Sequence, residues 1–491
     1  MLFHSLIFVL SSTLVFSANL RDSLDIAGIT AVFPGDLKYA NASSTFNLRF
    51  DYKPAVVTYP QTPEDISEIL KISSALNLKA AARSGSHSYI ANGVGGKDGA
   101  VVIDMQNFNK ITVQASTGTA LIESGNRLGD IALALSENGR AIPHGNCPYI
   151  GFGGHAAYGG IGFTSRMWGL TLDTIKSIDM VLANGTILTV SNERNSDLFW
   201  GIRGSGGSFG ITTSFKVQTF PEPPSTTVFD YIWTLDVDSI SKGINALEAY
   251  AQTDIPPEIN PWVAFSRGPY RATVVFQVTG VWYGPEGKLN ETIAPFLKNM
   301  PDAPQVTLTP GSYINSLELL AGGSLDVHTK PDGHDTFYAK SLMTPEDSPL
   351  SLEARTAFAH YLANEGFESI MDWAVGIELW GGKNSAVNAI PLDATSFAHR
   401  SSTLTIQFYA SSPNKLPPFP DEGFAFLDNM VDSIVSNGPK GWDYGTYTNY
   451  IDDRLSDWQN RYYGAHYPRL QNLKVKYDPL DVFAFPTVVE E

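Results

Sequence analysis

Apolar and polar positions alternate along the chain in short blocks whose period changes often. Val56 and Val57 read as an extended segment, and Thr62-Pro63 caps and opens a helix whose apolar positions Ile66, Ile69 and Leu70 recur at helical spacing. Lys79 to Ala82 is extended again and leads into a loop. Further strands are predicted at Val101 to Asp104, Ala120 to Ser124 and Ile211 to Val217, with a helix near Arg127 to Asn138. Between two apolar runs, Asn184-Gly185 supplies the positive φ of a hairpin turn. After Phe220-Pro221-Glu222-Pro223-Pro224 the blocks lengthen, with a strand at Ala272 to Tyr283 and a helix at Gly287 to Lys298, which suggests a second domain. Proline punctuation returns at Leu416 to Pro420. The stretch Tyr444 to Phe483 is dense in Tyr and Trp and helical in pattern, and either returns to an earlier domain or sits between the two. The whole reads as α+β.

Charge and cysteine content narrow the chemistry. Of 491 residues 33 are basic and 50 acidic, and the formal charge of −17 excludes a basic nucleic-acid footprint and makes anionic membranes poor partners. The chain points instead to small-molecule chemistry. At the N-terminus, Leu6 to Val9 and Thr13 to Phe16 form a short apolar segment followed by Ser17 and Ala18, which reads as a secretory signal peptide over residues 1–17 and an extracellular protein. It is shorter than the ~20 apolar residues a membrane helix needs. Asn-x-Ser/Thr sequons at Asn41, Asn184 and Asn290 agree with export and with a glycoprotein. Cys147 is the only cysteine, so neither an intramolecular disulfide nor a cysteine metal cluster is available, and no His-x-x-x-His pair supports a metal site.

Two constellations could carry chemistry. Arg83-Ser84-Gly85-Ser86-His87-Ser88-Tyr89 follows an apolar strand, and its small residues suit either a turn whose backbone N–H groups converge on an anion or an ordinary polar turn. Gly145-Asn146-Cys147-Pro148 precedes Gly151-Phe152-Gly153-Gly154-His155 and Gly159-Gly160-Ile161-Gly162, a glycine density that lets a flat or charged ligand approach backbone. Cys147 there is either engaged by a ligand or a small buried hydrophobe. Two other patterns are decoys. Gly151-x-Gly153-x-x-Ala156, with Asp173 downstream, matches a dinucleotide fingerprint but does not follow an apolar strand. Gly206-Gly207-Ser208-Phe209-Gly210 matches a nucleophile elbow, yet the order is helix, turn, strand rather than strand, turn, helix.

Taken together, these residues resemble the flavin-linked oxidases of the vanillyl-alcohol-oxidase type, in particular the berberine-bridge-enzyme-like branch. The resemblance runs from about Ala55 to the C-terminus and includes Asp197-Leu198-Phe199-Trp200 with Arg203-Gly204, then Tyr462-Tyr463-Gly464 and Tyr477-Asp478-Pro479. It implies a two-subdomain FAD-binding domain over 50–222, an α+β substrate domain with an antiparallel sheet over 223–420, and a C-terminal segment, 421–491, returning to the FAD domain. It also implies FAD attached covalently through His87 (flavin 8α-methyl) and Cys147 (flavin C6). Arg83, Ser84, Gly85, Ser86, Ser88, Gly153, Gly154, His155, Gly159, Gly162, Ile211 and Asn449 are the further cofactor-binding positions it implies.

Within that branch the chain is similar to the fungal glucooligosaccharide and chitooligosaccharide oxidases, on Ile377 to Ser385, Ala398-His399-Arg400, Gln407-Phe408-Tyr409 and Asn449-Tyr450-x-Asp452. This implies oxidation of the reducing-end anomeric hydroxyl of an oligosaccharide to a lactone, with electrons passed to oxygen or another acceptor. Tyr450 is implied as catalytic base, assisted by Glu378, where the family often carries Asp. A free phenol, with pKa near ~10, is a weak base at neutral pH, so the pair is expected to work as a relay from Tyr450 to Glu378. Tyr89, Trp380, Gln407 and Tyr409 are candidate substrate contacts; Trp373, Trp380 and Tyr409 could each offer a sugar-stacking surface, but buried core is the stronger reading for all three. An alcohol or secondary-metabolite oxidase on the same scaffold is the alternative.

Overall fold

The computed structural model describes residues 19–302 and 304–491; the expected signal peptide lies outside the described residues. Two sheets form the first lobe. The first contains β1 (Ala31–Val32), β2 (Val56–Thr58), β3 (Ala80–Arg83) and β4 (Val101–Asp104), in the order β1-β2-β4-β3. β4 pairs in parallel with both β2 and β3. Central parallel strands are covered on both faces, and Val101 to Asp104 is accordingly buried at every position. The helix Pro63–Ala75 covers this sheet: Thr62 and Asp65 form a capping box, Pro63 sits in the first turn, and Ile66, Ile69 and Leu70 are buried.

The second sheet holds β5 (Ile111–Gln114), β6 (Thr119–Glu123), β8 (Ile175–Leu182), β9 (Ile187–Ser191) and β10 (Gly210–Gln218), in the order β5-β6-β10-β8-β9. The β8–β9 hairpin turns at Asn184-Gly185, with Gly185 at φ +81° and Asn184 Oδ1 accepting from Thr186 N at 2.9 Å. A small pair, β7 (Arg140–Ala141) and β11 (Phe220–Pro221), closes the lobe.

The second lobe is one seven-stranded antiparallel sheet of β12 (Thr226–Asp236), β13 (Ile259–Arg267), β14 (Thr273–Trp282), β15 (Gln305–Gly311), β16 (Phe337–Pro345), β17 (Asp372–Leu379) and β18 (Ser402–Ser411), in the order β15-β12-β14-β13-β17-β18-β16. Side chains alternate between its faces. Trp373, Val375, Ile377 and Leu379 of β17 and Leu404, Ile406, Phe408 and Ala410 of β18 bury one face beneath the helices Val237–Ala251, Leu352–Glu368 and Asp421–Val435. The intervening positions, among them Trp262, Glu378, Gln407 and Tyr409, point to the other face, toward the first lobe.

The C-terminal stretch packs on the first lobe. Tyr462, Tyr463, Leu470 and Leu473 join the core of the second sheet, and Val482 and Phe483 that of the first. Ala80 N donates to Val482 O at 2.9 Å. Lys474 and Asp478, both fully enclosed, pair at 2.7 Å.

Candidate active site

A cleft of about 770 Å³ opens between the loop end of the first lobe and the free face of the seven-stranded sheet. Its floor is built from the two glycine-rich constellations, which hold each other. Arg83 ends β3 with its guanidinium turned inward onto Asp104 (2.8 and 2.5 Å) and Ala42 O, so this side chain anchors the base of the loop and does not face the cleft. Gly85 and Gly151 touch backbone to backbone: a Cβ on Gly85 would lie 2.2 Å from Gly151 N. Ser84 Oγ donates to Ser124 O and accepts from Gly153 N. Both segments therefore present main chain to the cleft, with Ser86, His87, Ser88 and Cys147 along its wall.

His87 and Cys147, far apart in sequence, line the same cleft. The Cys147 thiol is exposed there, while the walls that desolvate it push its pKa up. His155 is neutral, because burial and the neighbouring His144 lower its pKa to about 3. Its Nε2 accepts from Gly145 N at 3.1 Å, so it acts as a hydrogen-bond acceptor that fixes the cysteine loop. Gly154 and Gly207 border the cleft with open space where a Cβ would point, apart from one Phe485 atom 3.9 Å from the Gly207 position. Gly162 and Ile211 line it as well. A wide pocket with peptide walls, an imidazole and a thiol has the shape and the nucleophiles that a flat, anionic, covalently held flavin nucleotide requires.

Above this floor stands a polar cluster. Asn449 and Tyr450 lie in the single turn Thr448–Tyr450, and Asn449 Nδ2 donates to His155 O (3.1 Å) and to the Tyr447 hydroxyl (3.0 Å). The Tyr450 hydroxyl donates to Glu378 Oε1 at 2.5 Å, and Trp380 Nε1 donates to Oε2 at 3.0 Å. Burial pushes the Tyr450 phenol well above its ordinary range, and the adjacent carboxylate adds to the shift. The Glu378 carboxyl is also pushed up by burial, against the two hydrogen bonds it accepts. Tyr450 lies parallel to Tyr89 at 6.1 Å and edge-on to Tyr447 at 5.0 Å. Gln407 Nε2 donates to the Tyr89 hydroxyl at 2.7 Å, and the Tyr409 hydroxyl donates to Asp335 at 2.9 Å.

Not every sequence candidate reaches the cleft. Trp380 has no exposed surface: β17 ends at Leu379, the chain turns at Gly381-Gly382, and the indole packs against Phe397 and Tyr447 behind Glu378. It cannot stack on a sugar; its contribution is the hydrogen bond to Glu378. Trp373 lies in the core of the second lobe. Gly159 packs against the Tyr447 ring, 2.7 Å from where its Cβ would sit, and is not on the cleft wall. Of the decoys, Ser208 is buried with its hydroxyl on Ser205 O, and Asp173 is taken by Arg400.

Two cleft residues, Trp262 and Phe46, and one residue behind the wall, Asp332, have no counterpart in the sequence candidates. Trp262 of β13 faces Glu378 across the strand pair and lines the cleft. Pairing register was the signal that would have found it. Phe46 stacks on the His87 ring at 4.1 Å, and Asp332 Oδ2 lies 2.7 Å from His87 Nε2. Both come from segments with no local motif.

Residues 54–191 match the FAD binding domain family, and residues 446–490 the berberine and berberine-like family. The carbohydrate oxidase of Microdochium nivale is 34% identical over 98% of this chain and 96% of its own length. Among solved structures, a chitooligosaccharide oxidase superposes with a TM-score of 0.90 at 30% identity, covering 96% of this chain and 99% of the other. A glucooligosaccharide oxidase from Acremonium strictum, carrying a 6-S-cysteinyl, 8α-N1-histidyl FAD, superposes at 0.89 with 32% identity over 96% of this chain and 99% of its own. With the two-lobed architecture and the flavin-sized cleft, these likenesses show that the chain belongs to the berberine-bridge-enzyme-like, FAD-linked oxidases of the vanillyl-alcohol-oxidase type.

Proposed function

We propose that this protein is a secreted oligosaccharide oxidase that converts the reducing-end anomeric hydroxyl to a lactone and reduces oxygen to hydrogen peroxide, with FAD joined to His87 and Cys147. The observation that carries the reading is the Tyr450–Glu378 hydrogen bond, set in the same cleft as an imidazole and a thiol. Relatives named as carbohydrate, xylooligosaccharide and chitooligosaccharide oxidases support the substrate class. The sequon residues Asn41, Asn184 and Asn290 are exposed, which supports export and glycosylation.

Bound FAD supplies the two-electron sink that accepts hydride from C1. The chain's own residues handle the proton. Tyr450 sits too high in pKa to be a free phenolate, so it accepts the substrate O–H proton only as its own proton passes to Glu378 Oε1. Trp380 holds the second carboxylate oxygen and so keeps Oε1 aimed at the phenol. Tyr89, fixed by Gln407, and Trp262 frame the space beside this pair with aromatic surface suited to a sugar ring.

Such a relay needs Glu378 ionised. Its folded pKa lies above the carboxylate value of 4.5, so flavin reduction by substrate falls as pH drops through that raised value and is sustained above it. A stopped-flow pH profile should show one acidic limb with an apparent pKa above 4.5. Glu378→Gln should lose the limb and most of the rate.

The functional assignment is tested by offering the purified protein cellobiose, chitobiose and a series of aromatic alcohols under air. Flavin reduction and equimolar peroxide with the sugars are expected. Turnover confined to the alcohols would replace this reading with the secondary-metabolite oxidase on the same scaffold. Sequencing the N-terminus of protein recovered from medium should place the cleavage after residue 17.

A further inference from the structure

His87 is gripped from the second lobe. Its Nε2 lies 2.7 Å from Asp332 Oδ2, and the two side chains are 10% and 23% exposed. Asp332 belongs to the connection between the helix Tyr313–Ala321 and β16. That connection is fastened to the first lobe on both sides of Asp332: the Tyr149 hydroxyl donates to Lys330 O at 3.0 Å, and His334 Nδ1 contacts Thr45 O at 2.7 Å. Arg127 Nη1 lies 3.5 Å from the same Asp332 oxygen. Phe46 stacks on the imidazole, leaving the ring little freedom to turn.

The hydrogen bond made by one ring nitrogen decides the state of the other. A carboxylate accepting from Nε2–H places the proton on Nε2 and the lone pair on Nδ1. Among the described residues Nδ1 makes no hydrogen bond, and the residue borders the cleft.

We propose that Asp332 is a positioning residue for flavin attachment, selecting the His87 tautomer whose Nδ1 is the nucleophile and receiving the Nε2 proton as the bond forms. The inference rests on the covalent-FAD reading above. A bond forms between Nδ1 and the flavin 8α carbon while one C–H bond of that carbon breaks. The electron pair of the broken bond remains on the flavin. The released C–H proton and the Nε2 proton carried by Asp332 complete the two-electron-reduced flavin, and dioxygen returns it to the oxidised form as hydrogen peroxide. Because Asp332 and His87 lie on different lobes, attachment through histidine requires the lobes to be docked, whereas Asp332 makes no hydrogen bond to Cys147 and bears on it only through its charge, which helps hold the thiol pKa up.

The test compares the wild-type protein with Asp332→Ala and Asp332→Glu, purified with their flavin and sampled over time after expression. Proteolytic peptides are weighed to follow the His87 and Cys147 adducts separately. By analogy with groups that orient a metal-bound histidine, Asp332→Ala should slow the appearance of the His87 adduct roughly 10–100-fold. The Cys147 adduct and total bound flavin should persist, and Asp332→Glu should restore much of the histidine adduct. A His87 adduct forming at the wild-type rate in Asp332→Ala overturns the proposal. Parallel loss of both adducts overturns it too, because that marks a general structural role. A wild-type protein with no His87 adduct would instead overturn the covalent reading and this inference with it.

Discussion

Tyr450→Phe should reduce flavin bleaching by sugar about 10²–10⁴-fold, the range attributed to a positioned proton acceptor. The substitution removes one oxygen. The ring remains parallel to Tyr89 and edge-on to Tyr447, so the packing around the site is kept. What disappears is the hydroxyl through which the proposed relay passes the substrate proton to Glu378, whose Oε1 loses the donor it holds at 2.5 Å. Sugar affinity and the amount of bound flavin should change little, because neither depends on the phenol. Anaerobic stopped-flow measurement of flavin reduction separates the chemical step from reoxidation, and a wild-type rate there would remove Tyr450 from the mechanism. Combining Tyr450→Phe with Glu378→Gln should cost little more than the worse single change, since groups acting in one relay are not additive. An additive pair would mean two independent functions.

Much of this site was legible because local chemistry wrote it into short strings. Gly85 in the string Ser84 to Ser88 and Gly151 at the head of the block Gly151 to Gly154 stand where backbone meets backbone, with no room for a Cβ on either. Glu378 meets the Tyr450 hydroxyl with one carboxylate oxygen while Trp380 braces the other. The failures share a cause. Whether Trp380 faces the cleft depends on where β17 stops, and whether Trp262 does depends on which residue it opposes in β17; neither is a property of a short string. The same strand parity that sends Glu378 to the cleft sends Trp373, five residues earlier, to the core. Arg83 stands at the head of the loop string, yet its guanidinium is spent on Asp104, a partner on the adjacent strand. Asp332 lies 245 residues from His87 with no motif around it, and only the docking of the lobes brings the two together.

The second large effect is on stability: Arg400→Met should destabilise the protein by about 3–5 kcal/mol, the cost of leaving one member of a buried ion pair behind. Arg400 and Asp173 have side chains only 2% and 5% exposed and meet through two hydrogen bonds, at 3.0 and 2.7 Å. Asp173 also accepts from Leu170 N at 2.9 Å. Methionine fills much of the arginine volume but supplies no donor, so the carboxylate keeps its buried position without its main partner. The pair ties the entry to β18 in the second lobe to the turn Thr171–Thr174 in the first. That turn in turn steadies the glycines behind the site: Thr171 N donates to Gly160 O and Leu172 N to Gly159 O, and Gly160 N donates to the Tyr447 hydroxyl. Because Tyr450 packs against Tyr447, loosening this tie should lower the flavin-reduction rate as well as the unfolding midpoint. Removing both charges, with Asp173→Asn added to Arg400→Met, should recover a large part of the lost stability, since neither member of the pair is then left behind without the other. Urea unfolding of the two variants and the wild type reads the difference directly. A double variant less stable than Arg400→Met alone would show that Asp173 matters for its bond to Leu170 rather than for its charge.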